Sequence, residues 1–351
     1  MAERQGSRFG FIDAIRGIAA CMVMLQHSLY QSGLLGVEGR ETGFIPTRLE
    51  LGETGVVAFF LVSGFVIPLS LEKTNNLKMF WLHRVLRIYP LYIFIYFATF
   101  ALMLGGGIHS FGHAAANLLA HAFFLQEYVH QQDFVGGSWT LSLEAVWYLG
   151  ISLLFLLGLN RKHGLAVGLA VVASAAGQLL CALGHHMPMG RLSMLVCCVA
   201  GLICYRREQG EISAQKFGAF ILLLLALITA NLFAGFALFA DPHPTATFPM
   251  AIDSWALAAL VFLVPYFSRG RGIWSGSAFS FLGRISYSIY LVHPVLLLLL
   301  SFFAIKGFAL LALIFPLTIL VATVTYRVIE QPPIKFGHSY RAQARSRAAQ
   351  A

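Results

Sequence analysis

Phe11–Tyr30, FIDAIRGIAACMVMLQHSLY, is an apolar run long enough to cross a bilayer, yet it carries Asp13 and Arg16 near one end and His27 near the other. Ionisable groups are expensive inside hydrocarbon, so their presence in a span implies a use. Arg16 and His27 stand eleven positions apart, and at about 100° per residue the second lies roughly 20° from the first. They share one face of the helix. A rise of ~1.5 Å per residue separates them by roughly 16 Å, about half a hydrocarbon core. One strip of helix therefore presents a cation near one membrane surface and an imidazole deep toward the other.

The rest of the chain has the same character. Of its 351 residues 58% are hydrophobic and 11% charged, with a mean hydropathy of +0.75, and a soluble globule carries about a quarter charged residues. The reading is an all-α membrane protein. A net charge of +9 raises the question of nucleic acid, but the basic residues sit singly or in pairs between apolar runs and form no long basic tract, so no nucleic-acid partner is expected. Cys21, Cys181, Cys197, Cys198 and Cys204 all fall inside apolar segments and are odd in number, which implies no disulfide framework. Arg4 and Arg8 precede the first apolar run as in a signal peptide, but Asp13 and Arg16 interrupt it and no small-residue cleavage site follows, so it is expected to stay attached.

Apolar segments lie near 11–30, 55–71, 88–105, 114–128, 138–159, 165–183, 190–205, 217–239, 249–267, 286–304 and 307–328. The fourth is short and contains Asn117, His121, Gln126 and Glu127, which suits a re-entrant or half helix better than a span. About ten transmembrane helices remain, with both termini on one side. On that count all but Arg40, Arg48, Arg191 and Lys306 of the 24 basic residues fall on the side of the termini, which the positive-inside rule makes cytoplasmic. Making the fourth segment a full span would destroy that asymmetry. Residues 1–335 read as a single transmembrane domain and 336–351 as a basic, disordered tail. No internal repeat is apparent.

The intramembrane polar residues sort by depth. Arg16, Arg84 and Arg87 in HRVLRIYP, and Glu330 in VIEQPP lie on the inner side; His27 and Glu144 lie in the outer half, with His293 near mid-depth in SYSIYLVHP. A carboxylate beside an imidazole can fix its tautomer and raise its basicity, as a general base requires. Arginines at i and i+3 can grip phosphate, although taken alone Arg84 and Arg87 read first as membrane anchors. His293, preceding Pro294, reads equally as a hydrogen-bonded packing residue. His83, His109, His113, His185, His186 and His243 fall in loops or at surfaces, and their spacing suggests no metal site.

In order along the chain these stretches resemble acyltransferase family 3, integral membrane proteins that transfer acyl groups, usually acetyl, to sugars of envelope and exported glycans. IDAIRGIAACMVMLQH resembles the family's opening signature with Arg16 and His27; FFLVSGFVI, containing Ser63, its second-helix motif; and Arg84 and Arg87 its paired-arginine motif. SWTLSLEAVWYL, with Trp139, Ser142 and Glu144, is similar to its tryptophan, serine and glutamate motif; LGRISYSIYLVHP, with Tyr287 and His293, to its late-helix motif; and TYRVIEQPP, with Glu330, to its ending. A stand-alone membrane module is expected, without the periplasmic hydrolase-like domain of some members.

The resemblance implies an acyl-coenzyme A donor, most often acetyl-coenzyme A, reached from the cytoplasm through Arg16, Arg84 and Arg87. It makes His27 the catalytic residue, with no metal, in a multi-pass protein of the bacterial inner membrane. The acceptor it implies is a sugar hydroxyl of a cell-surface or exported polysaccharide, or a lipid-linked glycan. Asp13, Ser63, Trp139, Ser142, Tyr287, His293 and Glu330 are candidates for supporting roles. The expected chemistry is proton abstraction from the acceptor by His27, oriented by Glu144 or another buried acid; an acyl-histidine intermediate is the rival route. A transporter or exporter of a glycan or lipid-linked substrate would also bury His, Glu and Arg. The cations gathered at one entrance and the missing repeat symmetry favour an enzyme.

Overall fold

The computed structural model describes residues 10–35, 49–105, 114–239, 246–269 and 271–350, except for the side chains of 114 and 344–350. Expectations that rest on Arg4, Arg8, Arg40, Arg48, His109, His113 and His243 lie outside these residues. Eight described helices are long and apolar enough to span a membrane: α2 (Leu51–Thr74), α3 (Leu77–Gly105), α5 (Trp139–Leu156), α6 (His163–Ala182), α7 (Met189–Glu208), α8 with its π turn (Ala214–Leu238), α9 (Phe248–Phe267) and α12 with its continuation (Gly307–Gln343). The pair α10 (Ser277–Arg284) and α11 (Ser286–Ser301) makes a ninth if it acts as one span. Helix α1, Gly10–Ser32, has spanning length at 23 residues, but its polar and ionisable side chains set it apart from the others. It is the first segment of the sequence count, and the structure supports eight or nine spans besides it by length and composition.

The chain divides into two compact units. The first holds residues up to Gln26, Leu35–Leu69 and Leu143–Arg284; the second holds His27–Leu34, Ser70–Ser142 and Ile285–Ala351.

Close backbone contact holds the first unit, as expected where lipid tails remove most of the hydrophobic drive for helices to associate. A Cβ on Gly64 would come within 2.0 Å of the Cys198 carbonyl oxygen, and one on Gly201 within 2.1 Å of that of Leu61, so α2 and α7 touch backbone to backbone. Gly283 lies in the same way against the backbone of Asp13. Polar ties supplement the packing: Gln178 donates to Asn231, which donates to Ser174, and the Trp255 indole donates to Glu53 at 2.7 Å. Val146, Leu149, Leu153 and Leu156 form an exposed stripe on α5, whose three- and four-residue spacing identifies a lipid-facing side.

In the second unit the polar fourth segment is a nine-residue helix, α4 (Ala114–Ala122), followed by turns to Ser138. Its polar side chains are structural anchors. Tyr92 of α3 pairs with His121 Nδ1 at 2.7 Å and Tyr96 donates to Asn117 at 2.9 Å. Asn117 and His121 Nε2 reach the Gln132 carbonyl, and Gln126 donates to Ser138. These buried hydrogen bonds fix the path of the loop. Burial of His121 lowers its affinity for a proton.

After the π turn Tyr326–Glu330, the chain continues as α13, Gln331–Gln350. Residues 336–350, read from the sequence as a disordered tail, are helical here. They pack beside the start of α3: the His83 ring lies 3.2 Å from the Gly337 carbonyl, and Arg341 donates to the Lys73 carbonyl. At ~1.5 Å per residue the 37-residue helix is about 55 Å long and α3 about 43 Å, so both outrun a hydrocarbon core of ~30 Å.

Candidate functional site

Helices α1 and α11 meet through two polar contacts one turn apart. His27 Nδ1 lies 2.9 Å from His293 Nε2, and Gln31 donates to the Leu297 carbonyl at 2.6 Å. The i, i+4 spacing of 27 and 31 on one helix matches that of 293 and 297 on the other, so the helices are held in register. The imidazoles are stacked, with centroids 5.2 Å apart and planes 26° apart. His293 is 1% exposed, whereas His27 is exposed.

The tautomers follow from chemistry. His293 Nδ1 is 2.9 Å from the Ile289 carbonyl, which can only accept, so this nitrogen carries the proton. In a neutral His293, Nε2 is then the acceptor, and the proton between the rings belongs to His27 Nδ1. The lone pair of His27 sits on Nε2, facing away from the pair. A backbone carbonyl thereby sets, through two hydrogen bonds, which nitrogen of an accessible histidine can act as a base.

The loop after α4 docks on the same face of α11. Tyr290 donates to the Gly137 carbonyl at 3.2 Å and sits 3.1 Å from the Thr140 hydroxyl. A Cβ at Gly136 would meet the Pro294 ring at 2.9 Å, and one at Gly137 would meet the Tyr290 hydroxyl at 2.6 Å. Gly137 also has φ +79°, which disfavours any other residue there. Sequence reading passed over this glycine pair; a Gly-Gly immediately before SWT was the available signal.

The remaining candidates take distinct positions. Glu144 accepts a 2.7 Å hydrogen bond from Ser63 in the first unit, to which the half-buried Asp13 and Arg16 also belong. The ring nitrogen of His27 that an orienting acid would take is occupied by His293. In the second unit, Ser142 donates to the Phe124 carbonyl at 2.5 Å, and the half-buried Trp139 opens α5. Glu330 is 1% exposed in its π turn and accepts from Ser288 at 2.9 Å. Tyr287 donates to the Ile88 carbonyl at 2.9 Å, one residue beyond Arg87. Arg84 donates to Ser70 at 3.1 Å and lies over the Phe80 ring; Arg87 is half-buried one turn further on.

Tyr287 therefore brings the base of α11 level with the arginine end of α3. His293 lies six residues further along α11, a rise of about 9 Å. Among the described residues no group of three or more His, Cys, Asp or Glu could hold a metal ion.

A family model described as an acyltransferase domain matches residues 9–327. The chain is similar to nodulation protein 10 of Rhizobium leguminosarum bv. viciae, at 28% identity over 94% of each chain. A protein of Acidianus two-tailed virus that carries an acetyltransferase name is 26% identical over 80% of this chain and 81% of its own. A Komagataeibacter xylinus protein named as a membrane-bound transacylase, BcsY, is 26% identical over 96% and 86%. No solved structure matches.

Proposed function

The chain belongs to acyltransferase family 3, and from that premise we propose that it moves an acyl group, acetyl in the first instance, from cytoplasmic acyl-coenzyme A to a sugar hydroxyl of a surface or exported glycan. The observation that carries this reading is the His27–His293 pair, which leaves an unprotonated nitrogen on the accessible ring. The acetyltransferase and transacylase names of two relatives support acyl transfer as the reaction type and acetyl as the group.

In this mechanism His27 Nε2 takes the proton of the acceptor hydroxyl as its oxygen attacks the thioester carbonyl. A C–O bond forms, the C–S bond breaks, and the imidazolium returns the proton to the departing thiolate. The ester and the protonated thiol leave with the ring reset. His293 is a positioning residue: it holds the Nδ1 proton and supports the cation that forms on His27. General-base assistance contributes about 10²- to 10⁴-fold. Arg84 and Arg87 bind the donor's phosphates, and the flexible pantetheine arm carries the thioester along α11 toward the histidines. The face bearing Arg84 and Arg87 is assigned to the cytoplasm on the positive-inside rule, and the protein to the bacterial inner membrane.

Incubating the purified protein in lipid with labelled acetyl-coenzyme A tests the proposal. Transfer to a glycan, or slow thioester hydrolysis, is expected from the parent, and His27→Ala should lose about 10²- to 10⁴-fold while inserting normally. An intact thioester with the parent protein would refute the enzyme reading and favour a transporter. Full activity in His27→Ala would remove His27 from the chemistry.

A further inference from the structure

Acyl transfer places a charge where the two histidines have no donor to offer. When the acceptor oxygen bonds to the thioester carbon, the carbonyl π electrons move onto its oxygen, and fixed donors aimed at that oxyanion are usually the largest single contribution to such a reaction. His27 Nε2 carries the transferring proton, while the other three ring nitrogens are occupied by the contact between the rings and by the Ile289 carbonyl. The loop docked on α11 has two donors to give. The Val135 N–H donates to Asp133 at 2.9 Å, that of Ser138 to the Val135 carbonyl at 2.9 Å, and that of Thr140 to the Gly137 carbonyl at 3.1 Å. The N–H groups of Gly136 and Gly137 have no acceptor among the described residues. Both glycines precede the first turn of α5, so these are not the donors that every helix leaves open at its start.

Their place in the second unit puts these donors beside the histidine pair. Gly136 abuts Pro294, the residue after His293, and Gly137 abuts Tyr290, whose ring lies 6.2 Å from that of His293. Positions 290, 293 and 294 fall within about 100° of one another around a helix, so the loop meets the side of α11 that carries His293. A Cβ at either glycine would collide with α11, and only glycine lets the backbone and its N–H groups come this near. Gly137 is left-handed at φ +79° and Gly136 is not, an alternation that turns successive N–H groups toward a common anion-binding concavity. The Gly137 carbonyl is held by the Thr140 N–H, by the Thr140 hydroxyl at 2.8 Å and by the Tyr290 hydroxyl at 3.2 Å, which fixes the turn before any ligand arrives. Gly136 is exposed and Gly137 half-buried, so a ligand can reach both.

We propose that the N–H groups of Gly136 and Gly137 form the oxyanion hole for the thioester carbonyl of the acyl donor. As the C–O bond to the acceptor forms and His27 Nε2 takes the acceptor's proton, the carbonyl oxygen becomes an alkoxide that accepts from both glycines. Its electron pair then re-forms the C=O bond, the C–S bond breaks, and the thiolate collects the proton from His27. This rests on the acyl-transfer reading above and deepens it, because it adds to the proton transfer at His27 the groups that stabilise the intermediate.

The test removes each N–H without adding a side chain. Full-length protein in nanodiscs carries Gly136→glycolate or Gly137→glycolate, introduced by nonsense suppression, so that one backbone amide becomes an ester. Each replacement should lower kcat for acetyl-coenzyme A, read as transfer or as thioester hydrolysis, by about 10²- to 10³-fold. The affinity for S-ethyl-coenzyme A, a thioether that lacks the carbonyl oxygen, should stay within about twofold of the parent. An unchanged kcat in either replacement overturns the two-donor hole. A loss of kcat matched by an equal loss of S-ethyl-coenzyme A affinity also overturns it, and would make the glycines a packing contact of the loop. If the parent consumes no thioester, the acyl-transfer reading itself fails and this inference falls with it.

Discussion

The two ends of the second unit hold histidines in opposite ways. At one end His27 and His293 belong to a chain of hydrogen bonds that finishes on a backbone carbonyl, with the inner ring 1% exposed and each ring nitrogen but one accounted for. At the other end His83 also contacts a backbone carbonyl, but its neighbours are Arg84, His338 and Arg341, and the surrounding charge has one sign. The first arrangement is neutral, satisfied and preorganised, as a reacting centre needs to be. The second places several basic side chains around one imidazole. The first pairs α1 with α11, the second α3 with α13.

The comparison breaks most sharply at His293. His293→Ala should lower kcat by about 10²-fold with the donor KM within about twofold, because it releases the tautomer and orientation of His27 without touching the phosphate end. A His293→Gln variant, whose amide can still accept from His27, should recover part of that loss. Wild-type kcat in His293→Ala would show that the pair is only packing.

At the cationic end the pattern should reverse. Arg87→Ala is expected to raise the donor KM about tenfold and leave kcat at saturation nearly intact, as for a lost charge-assisted contact at a half-exposed position. A fall in kcat alone would place Arg87 with the chemistry instead. The smallest change is expected at Glu144: Glu144→Gln keeps an acceptor for Ser63 and removes only the charge, so kcat should drop by about threefold. A loss approaching that of His293→Ala would restore the carboxylate to the centre of the mechanism.

Much of this architecture was readable in advance. The apolar runs marked the helices because hydrocarbon forces every backbone polar group into internal hydrogen bonds, and the polar content of 114–128 distinguished α4 from a span. His27 stood out for the same reason: an imidazole in an apolar run is conspicuous. Its partner was harder to identify. Glu144 was the natural candidate by charge and depth, yet Ser63 holds it, and the His27 nitrogen is taken by His293, a residue that its sequence context explained equally well as packing. Asn117, His121 and Gln126 looked similar in kind to the site residues, but Tyr92, Tyr96, Gln132 and Ser138 engage them as structural ties. The basic tail was misleading because a low-hydropathy, charged composition resembles disorder, whereas continuity with α12 and the latch at His83 make it a helix.

By itself the sequence determined the all-helical membrane class, the family, and which ionisable groups are too costly in hydrocarbon to be incidental. Those are properties of composition and local periodicity. Only the tertiary structure decided that His27 Nδ1 faces a second imidazole, that Ile289 thereby selects Nε2 as the base, and that α13 returns its cations to the start of α3. Each of these pairs residues far apart in the chain: 266 positions for the two histidines and 254 for His83 and Gly337. Hydrogen-bond direction and charge convergence depend on distances of a few ångströms, which packing sets and residue order does not.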